Sequence, residues 1–377
     1  MELRQRHLFR RRRIRGGPSG PEITVDGKRL LAFCSNDYLG LSNHPDIRAA
    51  LCRGAAAFGV GSGAAHLITG HCTAHHALEE ELAEFVGFPR ALLFSTGYMA
   101  NLGIITALAG AGQAVLEDRL NHASLLDGAL LSRTRLRRYR HGDADSARAL
   151  MDGVQVSLIV TDGVFSMDGD LAPLPALSGL AGTGGCRLLV DDAHGLGVLG
   201  QEGRGTLDHL GVRVTDRVVL MGTLGKAIGT FGAFVAGSED VIETLIQHAR
   251  SYIYRTAAPP AIAEATRASL RIARREAWRR DHLSALIKRF RDGARELGLA
   301  LADSPTPIQP LLAGSAGRAL SWSRQLEEQG LLVSAIRPPT VPEGAARLRI
   351  TLSAAHEAAH VDRLLDALSR LSQEDDA

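Results

Sequence analysis

Lys226 is set among glycines and small residues in the stretch 221–229, which follows directly after the apolar run 218–220. A second apolar run, 188–190, leads into two ionisable residues that could take part in chemistry, Asp191 and His194. Open α/β sheets bind ligands at the carboxyl ends of their strands, so an amine and a carboxylate at two such ends predict a site. A single lysine at a strand end more often extends its ammonium group into water, so Lys226 alone does not establish a function.

A third segment, Ser95–Asn101 (STGYMAN), lies between a predicted strand and a helical run. A helix N-terminus opened by Ser, Thr and Gly presents free N–H groups and a partial positive charge, which suits a phosphate. Taken alone, the segment is more simply interpreted as an ordinary N-cap. The order Gly97, Asp191, Lys226 is what a pyridoxal phosphate (PLP) enzyme needs: a phosphate site, an acid for the pyridine nitrogen and a lysine for a Schiff base.

Other classes of site fail on their sequence context. Asp191 and His194 lack a third metal ligand at a recognisable spacing, and the four cysteines include no C-x-x-C pair, so no metal site is predicted. Gly195–Gly200 matches G-x-G-x-x-G, but no helix follows it and the next strand does not end in a suitable acid, which argues against a dinucleotide site. The pair Gly225-Lys226 lacks the upstream glycine of a nucleotide phosphate loop.

The elements that must position these residues follow an α/β pattern. From residue 90, short apolar runs alternate with helical or loop stretches, which predicts a mainly parallel seven-stranded sheet flanked by helices. The predicted strands are residues 91–94, 114–116, 136–139, 156–160, 187–190, 217–221 and 231–235. After Ser238, long amphipathic segments and short strands predict a smaller α+β domain, reached through a long helix over 261–297.

Length and composition fit a globular protein of two domains. The chain has 377 residues, a hydrophobic fraction of 45% and a net charge of +2, which argues against disorder. We predict a basic arm and hairpin over 1–40, a large domain over 41–250, and a linker helix with the small domain over 251–377. The scattered cysteines and the lack of any apolar run near ~20 residues predict a cytoplasmic protein without a membrane partner.

The first fifteen residues are strongly basic, with arginine at seven positions. Such an arm suits nucleic acid or an acidic carrier protein, although a solvated N-terminal segment is the simpler interpretation. We predict no nucleic-acid partner. After the arm, Asp26-Gly27 is a dipeptide favoured in tight turns, so residues 22–33 are predicted to form a hairpin.

Seven segments together resemble the α-oxoamine synthases, which are fold-type I PLP enzymes. They are Ser35–Leu41 (SNDYLGL), Ser62-Gly63, His122–Ser124, Gly163–Asp170 (GVFSMDGD), Asp191–Gly195 (DDAHG), Thr223–Lys226 (TLGK) and Arg347–Thr351 (RLRIT). The resemblance runs from about residue 20 to the C-terminus. It implies a fold-type I PLP-dependent acyltransferase that condenses an acyl thioester with an amino acid, as a homodimer with active sites at the subunit interface.

The resemblance also implies roles for individual residues. Lys226, His122 and Asp191 would be catalytic, with Lys226 bonded to the cofactor. The cofactor, pyridoxal 5'-phosphate, would be held by Gly97, Tyr98, Ser166, Asp191, His194, Thr223 and Lys226. The substrates would be bound by Arg10, Asn36, His122, Thr340 and Arg349. In the family pattern, Arg349 clamps the amino-acid carboxylate with support from Asn36, and Arg11 or Arg12 is an alternative to Arg10.

Two further segments bear on the choice of substrate. Ile336–Pro342 (IRPPTVP) and Ala354–Glu357 (AAHE) most resemble the family member that joins L-alanine to a pimeloyl thioester in biotin biosynthesis. The acyl carrier is left open between coenzyme A and an acyl carrier protein. The alternatives are members that use glycine, of the 2-amino-3-ketobutyrate ligase or 5-aminolevulinate synthase type, and a non-catalytic paralogue. Asp162 departs from the family pattern, in which glutamate is usual.

Overall fold

The computed structural model describes Phe9 and residues 11–375, which divide into two compact units. The large unit comprises His44–Phe165 and Leu171–Glu276. The small unit comprises the described residues up to Asn43, the short segment Ser166–Asp170, and the chain from Ala277 onward. The N-terminal hairpin thus belongs to the same unit as the C-terminal part of the chain. The domain boundaries predicted from the sequence, at residues 40 and 250, stay a prediction.

The strands, in chain order, are β1 Arg15–Gly16, β2 Glu22–Val25, β3 Lys28–Ala32, β4 Arg90–Phe94, β5 Ala114–Asp118, β6 Arg135–Tyr139, β7 Val156–Asp162, β8 Arg187–Asp191, β9 Val218–Thr223, β10 Ala233–Gly237, β11 Ile308–Gly314, β12 Leu331–Leu332, β13 Ser334–Ile336 and β14 Ala346–Thr351. β4 to β10 form one seven-stranded sheet in the order β4-β10-β9-β8-β7-β5-β6. β10 runs antiparallel to both of its neighbours, and the remaining pairs are parallel. The predicted mainly parallel, seven-stranded sheet is therefore confirmed.

Helices surround this sheet in the large unit. They are Pro45–Phe58, Thr73–Val86, Gly97–Leu108, Ala123–Ser132, Ala144–Ala149, Leu174–Gly184, Thr206–His209, Glu239–His248, Arg250–Ile253 and Pro260–Arg275, with a π-helix at His66–Gly70 and a 3₁₀ turn at Gln201–Gly203. The central strands are buried on both faces, as expected when helices cover a parallel sheet. Ile104, Leu158, Leu189 and Val219 belong to one core cluster, and each fully buried aliphatic side chain contributes about 1.5–3 kcal/mol.

The small unit contains two small sheets. β11, β14 and β13 form an antiparallel sheet, and the hairpin strands β1 to β3 form another that β12 joins by parallel pairing with β3. The hairpin turns at Asp26 and Gly27, whose φ angles of 50° and 81° lie in the left-handed region that an Asp-Gly pair favours. The helices of the small unit are Trp278–Glu296, Ala316–Glu328 and Ala358–Asp375.

The long helix predicted over 261–297 is divided in two. Pro260–Arg275 ends where Glu276 leaves the helical region, with φ −97° and ψ 62°, and Trp278–Glu296 starts a new helix. The amphipathic pattern predicts each helix but does not reveal the backbone change between them, because no proline or glycine marks it.

Candidate active site

Three strand ends of the large unit place polar residues at one edge of the sheet. β7 ends at Asp162, β8 at Asp191 and β9 at Thr223. Asp162 and Asp191 are direct partners in the parallel register, and Asp191 pairs with Met221 in the same way. The carboxyl edge predicted to carry the site therefore exists, and it brings two acids next to each other.

A cavity of about 200 Å³ opens at this edge. It is lined by Gly97, Tyr98, Asn101, His122, Ser124, Asp162, Asp191, Ala193, His194, Met221, Thr223 and Lys226. Seven of these were predicted site residues: Gly97, Tyr98, His122, Asp191, His194, Thr223 and Lys226. The tertiary structure thus brings together, within one unit, residues that lie up to 129 positions apart in the sequence.

Asp191 is held by donors on both of its carboxylate oxygens. The backbone N–H of Ala193 donates to Oδ1 at 3.0 Å, and Asn101 Nδ2 donates to Oδ2 at 2.7 Å. Asn101 Nδ2 also lies 2.8 Å from Ser124 Oγ. Asn101 and Ser124 were not among the predicted site residues, although they belong to the segments 95–101 and 122–124. Each is a polar residue at the end of its segment. The sequence alone does not show whether such a residue lines a site or lies on the surface.

Lys226 lies in the loop that follows β9. Its Nζ is 2.8 Å from Nε2 of His194, which is buried. Backbone hydrogen bonds hold this loop closed: the N–H of Gly229 donates to Lys226 O at 2.8 Å, and the N–H of Thr230 donates to Leu224 O at 2.8 Å. The amine of Lys226 is therefore positioned by the backbone turn that carries it and by the imidazole of His194, which contacts Nζ.

His122 caps the helix Ala123–Ser132, and three contacts fix its ring and backbone. Its Nδ1 accepts from the backbone N–H of Ser124 at 3.3 Å and lies 2.8 Å from Ser124 Oγ. Its own backbone N–H donates to Asp162 Oδ2 at 2.7 Å. The imidazole of His122 is therefore held in one orientation at the wall of the cavity.

Burial shifts the pKa values of two residues that line the cavity, His122 and Asp162. Burial lowers the pKa of His122, with a smaller contribution from the positive charge of Lys226 that is opposed by Asp191. Burial, followed by the nearby charge of Asp191, raises the pKa of Asp162 well above its ordinary value. Both shifts favour the neutral forms of His122 and Asp162.

The N-terminus of the helix Gly97–Leu108 closes another side of the cavity. Thr96 is the N-cap, and its side chain accepts from the N–H of Met99 at 3.2 Å. A Cβ added at Gly97 would lie 3.3 Å from Met221 Cε, so glycine lets the helix end approach this wall closely. Tyr98, the next residue, donates from its hydroxyl to the carboxylate of Asp127.

Together, these groups suit one kind of ligand. A primary amine suits an aldehyde, a buried carboxylate suits a protonated ring nitrogen, an imidazole suits the face of an aromatic ring, and a helix N-terminus suits a phosphate. The residues that line the cavity therefore fit PLP.

Four further predicted residues belong to the small unit: Asn36, Ser166, Thr340 and Arg349. Arg349, on β14, is buried; its Nε donates to the backbone carbonyl of Ser166 at 2.6 Å and its Nη1 donates to Asn36 Oδ1 at 3.3 Å. Tyr38 also donates to Asn36 Oδ1, at 3.2 Å. Thr340 is exposed. The guanidinium of Arg349 is therefore held at two points, and its other N–H groups can bind a carboxylate.

The basic arm is described only in part. Arg10, the predicted substrate contact, lies outside the described residues. Arg11 and Arg12 are exposed, whereas Arg13 pairs with Asp26 at 3.0 Å and with Glu327 at 2.7 Å. Arg13 thus stabilises the hairpin against the helix Ala316–Glu328. Among the described residues, no helix has both the length and the apolar character needed to cross a bilayer.

Comparison with known proteins supports the resemblance found in the sequence. The family model for aminotransferase class I and II matches residues 28–368. A protein of Nitrosococcus oceani called 8-amino-7-oxononanoate synthase is 63% identical over 373 residues, which cover 98% of this chain and 99% of that protein. Similarly named proteins from other bacteria, including Methylococcus capsulatus, are 61–63% identical over nearly the same length.

Solved structures agree on the fold. 8-Amino-7-oxononanoate synthase of Francisella tularensis superposes with a TM-score of 0.82 at 32% identity, covering 92% of this chain and 99% of that one. A serine palmitoyltransferase of S. paucimobilis with a bound PLP–myriocin aldimine superposes with a TM-score of 0.92 at 29% identity, covering 96% and 92%. The predicted fold-type I transferase is confirmed. The chain belongs to the class I and II aminotransferase family and, within it, to the 8-amino-7-oxononanoate synthases.

Proposed function

We propose that the protein condenses L-alanine with a pimeloyl thioester to give 8-amino-7-oxononanoate, CO₂ and the free thiol, a step of biotin biosynthesis. Near full-length identity of 61–63% to proteins named for this product carries the proposal. The same relatives favour this reaction over that of the glycine-using members of the family. The large unit supports catalysis with a lysine and a buried carboxylate in one cavity, which argues against a non-catalytic paralogue.

PLP is the cofactor, and we propose which residues hold it. Lys226 would bind it covalently, Asp191 would pair with the pyridine nitrogen, and His122 would lie over the ring. The helix N-terminus at Gly97 and Tyr98 would bind the phosphate. The remaining polar contacts would come from Ser166, His194 and Thr223. PLP supplies an aldehyde that combines with amines and a protonated ring that withdraws electrons from the bound amino acid.

The residues of the chain would then control one proton transfer. In this proposal, Lys226 Nζ, once released from the cofactor by the incoming amine of alanine, would remove the proton from the α-carbon of alanine as a general base. His194 Nε2, 2.8 Å from Nζ, holds the amine by a hydrogen bond. Ala193 and Asn101 donate to the two carboxylate oxygens of Asp191, which fixes the orientation of this side chain.

The alanine carboxylate would be bound by Arg349, with Asn36 in support. A planar guanidinium binds a carboxylate through two parallel hydrogen bonds, which fixes the direction of the neighbouring bonds. The contact from Arg349 Nε to the carbonyl of Ser166, at 2.6 Å, holds the group in one plane. Thr340 and Arg10 would contact the acyl substrate. The exposed positive charge of Arg11 and Arg12 suits either the phosphates of coenzyme A or an acidic carrier protein.

The protein would act in the cytoplasm as a homodimer with its active sites at the subunit interface. The four cysteines Cys34, Cys52, Cys72 and Cys186 are all free thiols in the structure, which agrees with a reducing compartment. The dimer rests on the family resemblance.

The activity is tested with purified, PLP-loaded protein and pimeloyl-CoA. L-Alanine should give a product with the mass of 8-amino-7-oxononanoate, while glycine and L-serine should give little of their own products. In Lys226→Ala, both this product and the borohydride-sensitive visible absorbance of the Schiff base should disappear. Turnover of L-alanine by Lys226→Ala would contradict the proposed role of the lysine, and equal turnover of glycine would contradict the proposed substrate.

A further inference from the structure

A second cluster of titratable groups lies in the large unit, away from the residues that line the active-site cavity. The segment 66–79 carries four histidines and ends in a glutamate. Its first part is the π-helix His66–Gly70, and the backbone N–H of His71 donates to His66 O at 3.1 Å. The helix Thr73–Val86 follows directly and carries His76 and Glu79 on its first two turns. The wide turn of the π-helix therefore places His71 beside the start of the next helix.

His71 and His76 face each other through one nitrogen of each ring. His71 Nε2 lies 3.5 Å from His76 Nδ1. Two imidazole nitrogens bound to one tetrahedral zinc ion, each at ~2.0–2.1 Å, are separated by about 3.3 Å. The two rings are thus already at nearly the separation that a shared metal ion requires.

Behind the other nitrogen of each ring lies a group that is able to accept a hydrogen bond. His71 Nδ1 lies 2.9 Å from Nε2 of the buried His66, and His76 Nε2 lies 3.5 Å from Glu80 Oε1. A metal-binding histidine typically donates its second N–H to such an acceptor, which fixes the tautomer and aims the lone pair of the other nitrogen at the metal. The outer contacts therefore favour the tautomers in which His71 Nε2 and His76 Nδ1 are ligands.

Glu79 supplies a carboxylate as the third ligand. It follows His76 by three residues, so both side chains project from the same face of the helix. A carboxylate oxygen of Glu79 and the ligand nitrogens of His71 and His76 all lie within 4.8 Å of one another. Glu79 Oε1 accepts from the backbone N–H of Leu93 at 2.9 Å, which orients the carboxylate from behind.

His75 is less suited, although it lies in the same cluster. It forms a second close group with His66 and His71, but both of its nitrogens have backbone partners. Its Nε2 donates to Ala258 O at 2.8 Å, and its Nδ1 accepts from the N–H of Cys72 at 3.3 Å. Binding a metal through His75 would break one of these buried bonds, so this histidine is better assigned to capping the helix.

We propose that His71, His76 and Glu79 form a site for one divalent transition-metal ion, with Zn²⁺ as the best match. Two imidazoles and a carboxylate are a donor set that zinc accepts at three positions, with water at the fourth. The three residues line a cavity of about 630 Å³, which gives room for that water. The sequence predicted no metal site because it lacks the recognised cysteine and H-E-x-x-H spacings. Those spacings do not describe this cluster, because His71 precedes the helix that carries His76 and Glu79.

The test uses PLP-loaded protein without a histidine tag, treated with a chelator and then desalted to remove free PLP. Isothermal titration with ZnCl₂ should give one ion per chain with a Kd below about 10 μM, well within the range that zinc sites reach. Co²⁺ in the same protein should give the intense visible absorption of a four-coordinate ion. Weak, multiple binding of Zn²⁺ together with the pale spectrum of six-coordinate Co²⁺ would overturn the proposal.

Three variants distinguish Zn²⁺ binding at this site from binding to the neighbouring thiol or to other histidines. His76→Gln removes a ligand, and Glu79→Gln removes the charge while keeping an amide oxygen for the N–H of Leu93. Each should weaken Zn²⁺ binding at least tenfold, a typical loss when a metal site is altered. Cys72→Ser should bind as the parent does, because the thiol is not a ligand in this assignment.

His209→Gln is the matched control, since His209 is exposed and outside the cluster. It should bind Zn²⁺ as tightly as the parent. Circular dichroism confirms that each variant is folded before it is titrated. If Glu79→Gln and His76→Gln both keep the parent Kd, or if His209→Gln loses affinity as they do, the assignment is wrong. Neither result depends on the enzyme's activity, so the outcome is independent of the proposed reaction.

Discussion

Asn101 Nδ2 donates to Asp191 Oδ2 at 2.7 Å, although the two residues are 90 positions apart in the chain. Asn101 lies on the helix Gly97–Leu108, whose N-terminus closes the cavity, and Asp191 ends β8. Both side chains are buried at the wall of the cavity. The asparagine therefore couples the proposed phosphate end of the site to the proposed ring-nitrogen end.

Replacing Asn101 tests this coupling. Asn101→Ala leaves the buried Asp191 with one donor fewer, and a buried polar group that loses its hydrogen-bond partner costs about 1–3 kcal/mol. We expect kcat/KM for L-alanine to fall about tenfold to one-hundredfold. Thr106→Ala, on the same helix but outside the cavity, should change it less than about twofold. Equal effects of the two substitutions on kcat/KM would show that the loss comes from a disturbed helix and not from the missing hydrogen bond.

Asp162 is expected to tolerate replacement by a neutral amide but not the loss of its side-chain oxygen. Burial and the charge of Asp191 raise its pKa, and one oxygen accepts the backbone N–H of His122 at 2.7 Å. Asp162→Asn keeps that acceptor, so kcat should stay within about threefold of the parent. Asp162→Ala removes it and leaves a buried donor unpaired, so kcat should fall about tenfold or more. Steady-state kinetics distinguish the two, and a severe loss in Asp162→Asn would mean that the ionised carboxylate is needed.

Arg349→Lys tests the proposed carboxylate clamp. Lysine keeps the positive charge but cannot reproduce two parallel hydrogen bonds, and it also loses the contact to Ser166 O. The KM for L-alanine should rise about tenfold or more, while the KM for pimeloyl-CoA should change little. Arg347→Lys, two residues earlier on the same strand, is the matched control, because Arg347 pairs with Asp168. An unchanged KM for L-alanine in Arg349→Lys would remove Arg349 from the clamp.

The small unit should lose stability in mild acid through His356. This ring stacks on Phe33 with centroids 4.6 Å apart, its Nε2 donates to Ala32 O at 2.9 Å, and burial lowers its pKa to about 4. The unfolded chain takes up a proton near pH 6.5, whereas the folded chain does not, so stability is lost as the pH falls from about 6.5 to 4. At pH 5 this amounts to about 2 kcal/mol.

Thermal denaturation at pH 7.5 and pH 5.0 measures this effect. His356→Gln cannot be protonated, so its Tm should fall less between the two pH values than the Tm of the parent. The variant should start from a lower Tm at pH 7.5, because the stacking and one hydrogen bond are weakened. His209→Gln, at an exposed histidine, should follow the parent at both pH values. If His356→Gln and the parent lose the same number of degrees, the pH dependence lies elsewhere.

Much of the fold and of the active site could be predicted from local patterns. The alternation of apolar runs predicted the strands β4 to β10, because a parallel sheet covered by helices requires buried strands at regular intervals. The positions of Asp191 and Lys226 after such runs predicted their place at one sheet edge. The motif at Gly97 predicted a helix N-terminus, and that helix begins at Gly97.

The sequence by itself thus determined the strands, the chemical types at their ends and the family. Only the tertiary structure decided which polar side chains meet: Asn101 with Asp191, His122 with Asp162, and His71 with His76. It also decided that the N-terminal hairpin pairs with β12, three hundred residues later. The reason is physical. Strand and helix patterns depend on neighbours in the chain, whereas these contacts depend on sheet register, side-chain rotamers and a π-helical turn, which no local pattern encodes.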